Sequence, residues 1–191
     1  MIERALISVY DKSGLDEFAQ GLVDLGVEIV SSGGTSAYLE EMGIPVTRIE
    51  DITQVPEMLG GRVKTLHPNI HAAILARRDE PGDLSSLEEQ EITPFDLVCV
   101  NLYPFRETVA RRGITEAEAV EVIDIGGPAM IRAAAKNFAH VAPVCRGPQY
   151  ELVLEELRRD GDLSLETRRR SRSTRIRVAG FCVNVSSAPS S

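Results

Sequence analysis

The sequence predicts an α/β protein with a parallel sheet that carries helices on both faces. Short apolar runs rich in β-forming residues alternate with segments of helical periodicity, at intervals of about 30 residues. Polar or glycine-rich residues follow several of these runs, as at the ligand-binding edge of an open α/β sheet. With 191 residues and 43% hydrophobic content, the chain suits one domain, residues 1–170, and a tail, residues 171–191.

The first part of the chain predicts three strands, at residues 4–10, 27–31 and 45–49. A helix follows the first strand, because residues 15–25 place their apolar side chains on one stripe. Ser13 is expected to cap this helix and Gly26 to end it. The segment S-G-G-T opens a second helix, S-A-Y-L-E-E-M-G, which ends at Gly43, whereas the chain from residue 51 to residue 68 shows no period.

The second part of the chain predicts helices at residues 71–78, 84–91 and 105–112, and the most apolar strand at residues 95–102. Thr115 begins a further helix with a capping box. Pro128 suits the first turn of the helix that includes Lys136. A strand at residues 140–145 and an amphipathic helix at residues 148–160 follow, and residues 178–185 fit either another strand or a disordered segment.

Composition and charge exclude several classes of function. The net charge is −8, and no acidic residue follows Glu166, so the folded part is too acidic for a nucleic-acid partner. No apolar run is long enough for a membrane span, and the N-terminus lacks the features of a signal peptide, so we expect a cytoplasmic protein. Cys99, Cys145 and Cys182 are scattered and expected to be reduced, and no metal site or cofactor is expected.

Three segments carry groups that suit a phosphate monoester. They supply Lys12; Ser32, Gly33, Gly34 and Thr35; and Arg62, Lys64 and Thr65. The S-G-G-T segment combines main-chain N–H groups and two hydroxyls with a helix N-terminus. In an extended chain, the side chains of residues 62 and 64 would share one face. Each segment also fits an ordinary turn, but two successive strand-to-helix junctions of this kind favour phosphate binding.

Further residues suit acid–base chemistry. Asp124 precedes the pair Gly126-Gly127, whose N–H groups we expect to form an oxyanion hole at a helix mouth. Lys136 follows three alanines on the same helix, which predicts a partly buried amine. Asn101 and Tyr103 follow the most apolar strand and can reach one ligand, although a tyrosine there also fits the edge of the core. These groups indicate cofactor-free chemistry on a small phosphorylated molecule.

Five segments closely resemble the inosine monophosphate cyclohydrolase domain of bifunctional purine-biosynthesis enzymes. They are S-V-Y-D-K-S-G-L, S-S-G-G-T, P-E-M-L-G-G-R-V-K-T-L-H-P, N-L-Y-P-F and I-D-I-G-G-P-A-M-I-R-A-A-A-K-N, in the family's order. The resemblance covers residues 2–170 and implies a methylglyoxal-synthase-like fold. It also implies the last step of purine biosynthesis, closure of 5-formamido-4-carboxamide imidazole ribonucleotide to inosine monophosphate with loss of water.

The resemblance implies a role for each site residue. It gives proton transfer to Lys136, with Lys64, Tyr103 and Asp124 assisting. It assigns binding of the purine ribonucleotide to Tyr10, Asp11, Lys12, Ser32, Gly33, Gly34, Thr35, Arg62, Val63, Lys64, Thr65, Asn101, Asp124, Ile125, Gly126 and Gly127.

The sequence departs from the family after S-L-E-T-R-R-R, where an Arg/Ser-rich segment begins. We therefore expect a truncated form without the transformylase domain and its formyl-folate chemistry. The family dimerises largely through that domain, so a homodimer is an open question. Two other functions stay open as well: a methylglyoxal-synthase-type lyase acting on a triose phosphate, and a non-catalytic domain that senses a nucleotide or phosphate.

Overall fold

The computed structural model describes residues 1–102 and 113–171. Within these residues five strands form one parallel sheet, in the order β3-β2-β1-β4-β5. The strands are β1 (Arg4–Ser8), β2 (Glu28–Ser31), β3 (Thr47–Arg48), β4 (Leu97–Val100) and β5 (Ala142–Val144). The helices are α1 (Leu15–Asp24), α2 (Gly33–Glu41), α3 (Ile49–Thr53), α4 (Pro68–Leu75), α5 (Pro81–Glu89), α6 (Glu116–Glu121), α7 (Gly126–Lys136) and α8 (Pro148–Asp160). Residues 165–171 are also helical. The predicted helix 105–112, the segment 178–185, Tyr103 and Cys182 lie outside the described residues.

The sheet is buried on both faces, which confirms the predicted fold class. Side chains alternate between two apolar clusters along the central strands: Ala5 and Ile7 of β1 belong to one cluster, and Leu6 belongs to the other. Helices α1 and α8 cover the first face, and α4 and α7 cover the second. This arrangement explains why the central strands are continuously apolar in sequence.

The strand order creates a crevice between β1 and β4. From β1 the chain passes to β2 and β3 on one side, and the later strands β4 and β5 lie on the other side. The connections that follow β1 and β4 therefore diverge at the carboxyl edge of the sheet. Ligands bind at such a point in open α/β sheets.

Four local predictions need correction. Ser13 does not cap α1, because its N–H and hydroxyl both donate to Asp11 Oδ1, at 3.0 and 2.7 Å. Residues 62–65 form turns, with Arg62 in the helical region, so the expected extended segment is wrong. Residues 49–53 form α3, where no regular structure was expected beyond residue 51. The helix α4 begins at Pro68, three residues earlier than predicted, because His67 caps it by accepting the N–H of Asn69.

Other local predictions are confirmed. Thr115 and Glu118 form the capping box of α6. Pro128 lies in the first turn of α7, and Gly26 follows α1 with a φ of 79°. The predicted helix at 84–91 is present as α5, displaced by about one turn toward the N-terminus.

The edge of the sheet opposite the crevice is fixed by a buried ionic network. Asp96 accepts the main-chain N–H groups of Glu3 and Arg4, and it pairs with Arg78. The Arg4 guanidinium also pairs with Glu28, at 3.0 Å. These contacts join the amino ends of β1, β2 and β4.

The last described helical residues pack on the domain through a buried arginine. Arg168 is 7% exposed, donates to the carbonyl oxygen of Leu163 at 3.0 Å, and pairs with Asp162 at 2.7 Å. Ser171 is also buried and accepts a hydrogen bond from Gln149. Packing against the domain therefore extends through residue 171.

The structure bears on the expectations about cysteines, metals and membranes. Cys99 and Cys145 are buried and reduced, as predicted. No three His, Cys, Asp or Glu side chains within residues 1–102 and 113–171 lie close enough together to hold a metal ion. No helix in the same two ranges is long and apolar enough to cross a membrane.

Candidate functional site

A cavity of about 590 Å³ lies at the carboxyl edge of the sheet, in the crevice between β1 and β4. Its volume is in the range of small-ligand sites. The segments that follow β1, β2 and β4 form one wall, and the turn 61–65 and the segment 120–127 form the other. Predicted residues that line it are Tyr10, Lys12, Ser32, Gly34, Thr35, Arg62, Lys64, Thr65, Asn101, Asp124, Ile125, Gly126 and Gly127. The parallel topology thus brings together residues from all the segments that the sequence singled out.

Some predicted residues lie beside the cavity rather than in its wall. Gly33 contacts the lining lysine, Lys64. Asp11 is exposed and its carboxylate bonds to Ser13, while the carbonyl of Val63 accepts the N–H of Leu66 in the turn. Direct binding roles for Asp11 and Val63 therefore have no support from their positions.

The N-terminus of α2 presents one available hydroxyl rather than two. Thr35 Oγ1 accepts the N–H of Val9 at 3.1 Å and donates to the carbonyl of Val9 at 2.9 Å, so it holds α2 against the end of β1. Ser32, the N-cap residue, is 3% exposed, and its hydroxyl has no hydrogen-bond partner among the described residues. A buried unpaired hydroxyl at a helix N-terminus is a good partner for an anionic ligand.

The turn at residues 61–65 contacts two helix N-termini. Lys64 Nζ packs against Gly33 at the start of α2, where a Cβ atom would overlap it. Thr65 is buried, and its hydroxyl contacts Gly126 at the start of α7, again at a position that leaves no room for a Cβ atom. The glycines at both helix starts therefore permit this close approach.

Both cations of this turn are balanced by carboxylates of the protein itself. Arg62 donates from Nη2 to both carboxylate oxygens of Glu121, at 2.7 Å. Lys64 Nζ lies 3.9 Å from Glu57, and its side chain is only 26% exposed. An anionic ligand must compete with these carboxylates.

Asp124 is partly buried at the mouth of α7. Burial raises the pKa of its carboxyl group, and a hydrogen bond from the Gly127 N–H to Oδ1, of 2.9 Å, opposes that rise. Since the Gly127 N–H is already bonded, it is not free to stabilise an oxyanion, and that part of the prediction is wrong. A carboxyl group with a raised pKa is better suited to accept and return a proton near neutral pH.

Lys136 does not line the cavity. It is the last residue of α7 and is exposed, about 15 Å along the helix from Gly126. Ala133, Ala134 and Ala135 face the core, whereas Arg132 and Lys136 share the exposed face. The expected partly buried amine is therefore wrong, and no proton-transfer step at Lys136 is supported by its position. Tyr103 lies outside the described residues.

Sequence reasoning missed several residues of the cavity wall. Glu121 and Val120 lie at the end of α6, and Ile123 and Met130 flank Asp124 and the α7 N-terminus. Val120 is 51% exposed although it is apolar. These residues belong to two ordinary helices and the connection between them in sequence, so only their position around the cavity reveals them.

Comparison with known proteins gives concordant results. A family model described as MGS-like domain matches residues 14–129. The bifunctional purine biosynthesis proteins PurH of Listeria welshimeri and of a Synechocystis species are 56% and 57% identical over 169 residues, which are 88% of this chain and 33% of each relative. PurH of Trichormus variabilis is 56% identical over 173 residues. The chain spans about a third of the length of these curated relatives.

A solved structure is similar over nearly the whole chain. The crystal structure of ForH superposes with a TM-score of 0.83 at 37% sequence identity. The similarity covers 94% of this chain and 94% of that one. The five-stranded parallel sheet with its helices is therefore shared with a protein of similar size.

Proposed function

The chain belongs to the family of MGS-like domains, and on this premise we propose that it is an enzyme of purine biosynthesis with inosine monophosphate cyclohydrolase activity. Its substrate would be 5-formamido-4-carboxamide imidazole ribonucleotide, and its products inosine monophosphate and water. The names of its relatives support the biosynthetic role. One observation carries the proposal: an anion-binding helix end, three cationic side chains and a carboxyl group with a raised pKa meet in one cavity.

We assign phosphate binding to the side of the cavity formed by α2. The unpaired hydroxyl of Ser32, the ammonium group of Lys64 and the positive end of the helix converge there. Lys12 enters the same cavity from the end of β1. A phosphate dianion would satisfy the buried hydroxyl and both ammonium groups, which gives the ligand one orientation.

The heterocycle would then lie toward α6 and α7. Val120 and Ile125 are apolar, more than half exposed, and line this side of the cavity. Burying them beneath a planar ring is favourable. The two reacting groups are attached to one ring, so much of the catalysis consists of holding them in the reactive geometry.

Ring closure requires two proton transfers. The carboxamide nitrogen forms a bond with the formyl carbon, and the formyl oxygen leaves as water with one proton from the carboxamide nitrogen and one from the formamido nitrogen. Asp124 is the described residue best suited to carry a proton between these groups, because its pKa is raised by burial.

A direct assay tests the proposal. The purified chain is incubated with the formylated ribonucleotide, and inosine monophosphate is quantified by chromatography against an incubation without enzyme. We expect the product to form in proportion to enzyme concentration. A Lys64→Ala variant should lower kcat/KM by about 100-fold, because it loses a buried cation that contacts the ligand.

Two outcomes would contradict the proposal. A folded chain that binds inosine monophosphate but forms none would be a nucleotide-sensing domain. A chain that converts dihydroxyacetone phosphate into methylglyoxal and phosphate, and leaves the ribonucleotide unchanged, would be a lyase.

A further inference from the structure

The side chain of Asn101, at the end of β4, bonds to the loop that follows β1. Its Oδ1 accepts the main-chain N–H groups of Tyr10 and Asp11, at 2.6 and 3.1 Å. Its Nδ2 donates to the carbonyl oxygen of Asp11, at 2.7 Å. Three hydrogen bonds from one amide thus join segments that are 90 and 91 residues apart in sequence.

The loop held by Asn101 carries Lys12. On the other side of this lysine, Asp11 Oδ1 accepts two hydrogen bonds from Ser13, and the carbonyl oxygen of Lys12 accepts the N–H of Leu15. The main chain is therefore fixed before and after the lysine. Its Nζ atom lies 5.9 Å from the ring centre of Tyr38, and Lys12 forms no ion pair within the described part of the chain.

We propose that Asn101 is a positioning residue that acts on the ligand through Lys12. It fixes the main chain at Tyr10 and Asp11, so that the lysine enters the cavity in the orientation that binds the ligand phosphate. Both oxygen lone pairs and one N–H of the Asn101 amide are already used, which leaves little capacity for the ligand itself. Ordering a long cationic side chain before binding lowers the entropic cost of ion pairing.

This inference rests on the proposed function for the identity of the ligand, and a double-mutant cycle tests it. Dissociation constants for inosine monophosphate are measured by calorimetry for wild type, Asn101→Ala, Lys12→Ala and the double variant. We expect each single variant to bind roughly tenfold more weakly. The double variant should bind like Lys12→Ala alone, because the asparagine then has no lysine to position. If the double variant instead loses affinity by the product of the two single losses, the proposal is overturned, since Asn101 would then contact the ligand independently.

A measurement without ligand separates this inference from the proposed function. Amide hydrogen exchange of residues 9–14 should be faster in Asn101→Ala than in wild type, because the N–H groups of Tyr10 and Asp11 lose their acceptor. Asn137→Ala is the matched control, since Asn137 Nδ2 also bridges distant main chain, at the carbonyls of Ile74 and Ala76. It should change neither the exchange of residues 9–14 nor the affinity for inosine monophosphate.

A conservative variant covers the case in which Asn101→Ala does not fold. Asn101→Asp keeps the acceptor oxygens but loses the donor to Asp11, so we expect exchange at residues 10 and 11 between that of wild type and that of an unbonded loop. Unchanged exchange in every folded Asn101 variant would overturn the inference. If wild type does not bind inosine monophosphate, the proposed function fails, whereas the exchange experiment still decides whether Asn101 orders the loop.

Discussion

The carboxyl group of Asp124 lies where its proposed catalytic role and the stability of the fold make opposite demands. The residue is partly buried, and burial raises its pKa above the ordinary 3.8. The unfolded chain therefore loses this proton at a lower pH than the folded protein does. As pH rises from below 3.8 through the raised value, the contribution of Asp124 to the free energy of unfolding falls, and that loss persists at neutral pH.

An Asp124→Asn variant should separate these two demands. Asparagine can still accept the Gly127 N–H, but it carries no buried charge and moves no proton. We expect this variant to be more stable than wild type at pH 7, with a stability advantage that grows as pH rises from below 3.8, and to have a kcat lower by about 100-fold. Denaturant unfolding at several pH values and the ring-closure assay measure both effects. A stability profile identical to that of wild type would contradict the assigned pKa direction.

Glu121 is expected to weaken ligand binding in the wild-type protein. Its carboxylate pairs with Arg62 at the cavity wall, and both side chains are more than half exposed, so solvent weakens the pair. Glu121→Gln should bind inosine monophosphate about two- to fivefold more tightly. In the variant, the Arg62 guanidinium no longer has to give up a carboxylate partner before it pairs with the anionic ligand.

A matched control removes the same charge from the other end of α6. Glu116→Gln makes the identical chemical change on the same helix, outside the cavity wall. Equal tightening in both variants would show a general effect of net charge and would reject the specific role of Glu121.

At the scale of single residues, the sequence identified which polar side chains lie at the cavity better than it identified their hydrogen-bond partners. It placed Thr35 correctly beside the cavity, but its hydroxyl is used by the main chain of Val9, 26 residues away. Asn101 was likewise placed correctly beside the cavity, but its side chain is used by the main chain of the loop after β1. Such pairings depend on which strands are neighbours, and local patterns do not carry that information.

At the scale of elements, the contact between the turn 61–65 and α2 depends on one glycine of a pair. Gly33 has a φ of 53°, and a Cβ atom there would overlap Lys64 Nζ, whereas a Cβ atom on Gly34 would meet open space. Gly33→Ala should therefore destabilise the protein by about 1–2 kcal/mol, through backbone strain and displacement of the lysine. Gly34→Ala should leave stability unchanged or raise it slightly.

Thermal unfolding of Gly33→Ala and Gly34→Ala distinguishes these expectations, since the two variants differ only in which of two adjacent residues gains a methyl group. Equal stabilities would mean that the lysine does not pack against the start of α2 in solution. The two glycine variants thereby test the contact between Lys64 and the start of α2 without any ligand.

The order and type of most elements could be predicted, but their lengths could not. Apolar periodicity located α1 and α8, and the capping box located α6, because those signals are local. The strand β3 has only two residues, although five were expected, since its length is set by pairing with β2 at Val30 and Ser31. The turn at residues 62–65 carries no periodic signal, so its two cations were wrongly placed on an extended chain.

At the scale of the whole molecule, the direction of α7 separates Lys136 from the cavity. The helix begins at the ligand-binding edge and ends near the opposite edge, where its last residue is exposed. We expect Lys136→Ala to keep its fold, its affinity for inosine monophosphate and a kcat within about twofold of wild type. The steady-state assay, with Lys64→Ala as the variant that should lose activity, measures this. A large loss of kcat with unchanged affinity would restore the role implied by the family resemblance.

The convergence of distant segments at one edge could be predicted from the sequence, because all strands of a parallel sheet end on the same side. The position of Lys136 required only the helical rise, yet its alanine neighbours suggested burial. Those alanines face the core on one side of α7, and the lysine lies on the other. The residue types next to a helical residue in sequence therefore predict its burial less well than the face of the helix that it occupies.

The central position of β1 also has a consequence for the order in which the protein is made. Its pairing with β2 needs only the first 31 residues, but its other edge pairs with β4, which begins at Leu97. At a synthesis rate of about 5–20 residues per second, that edge stays unpaired on the ribosome for roughly 3–15 seconds after β2 has emerged. Ala5, Leu6 and Ile7, which are fully buried in the finished fold, therefore lack one of their two neighbouring strands throughout this interval.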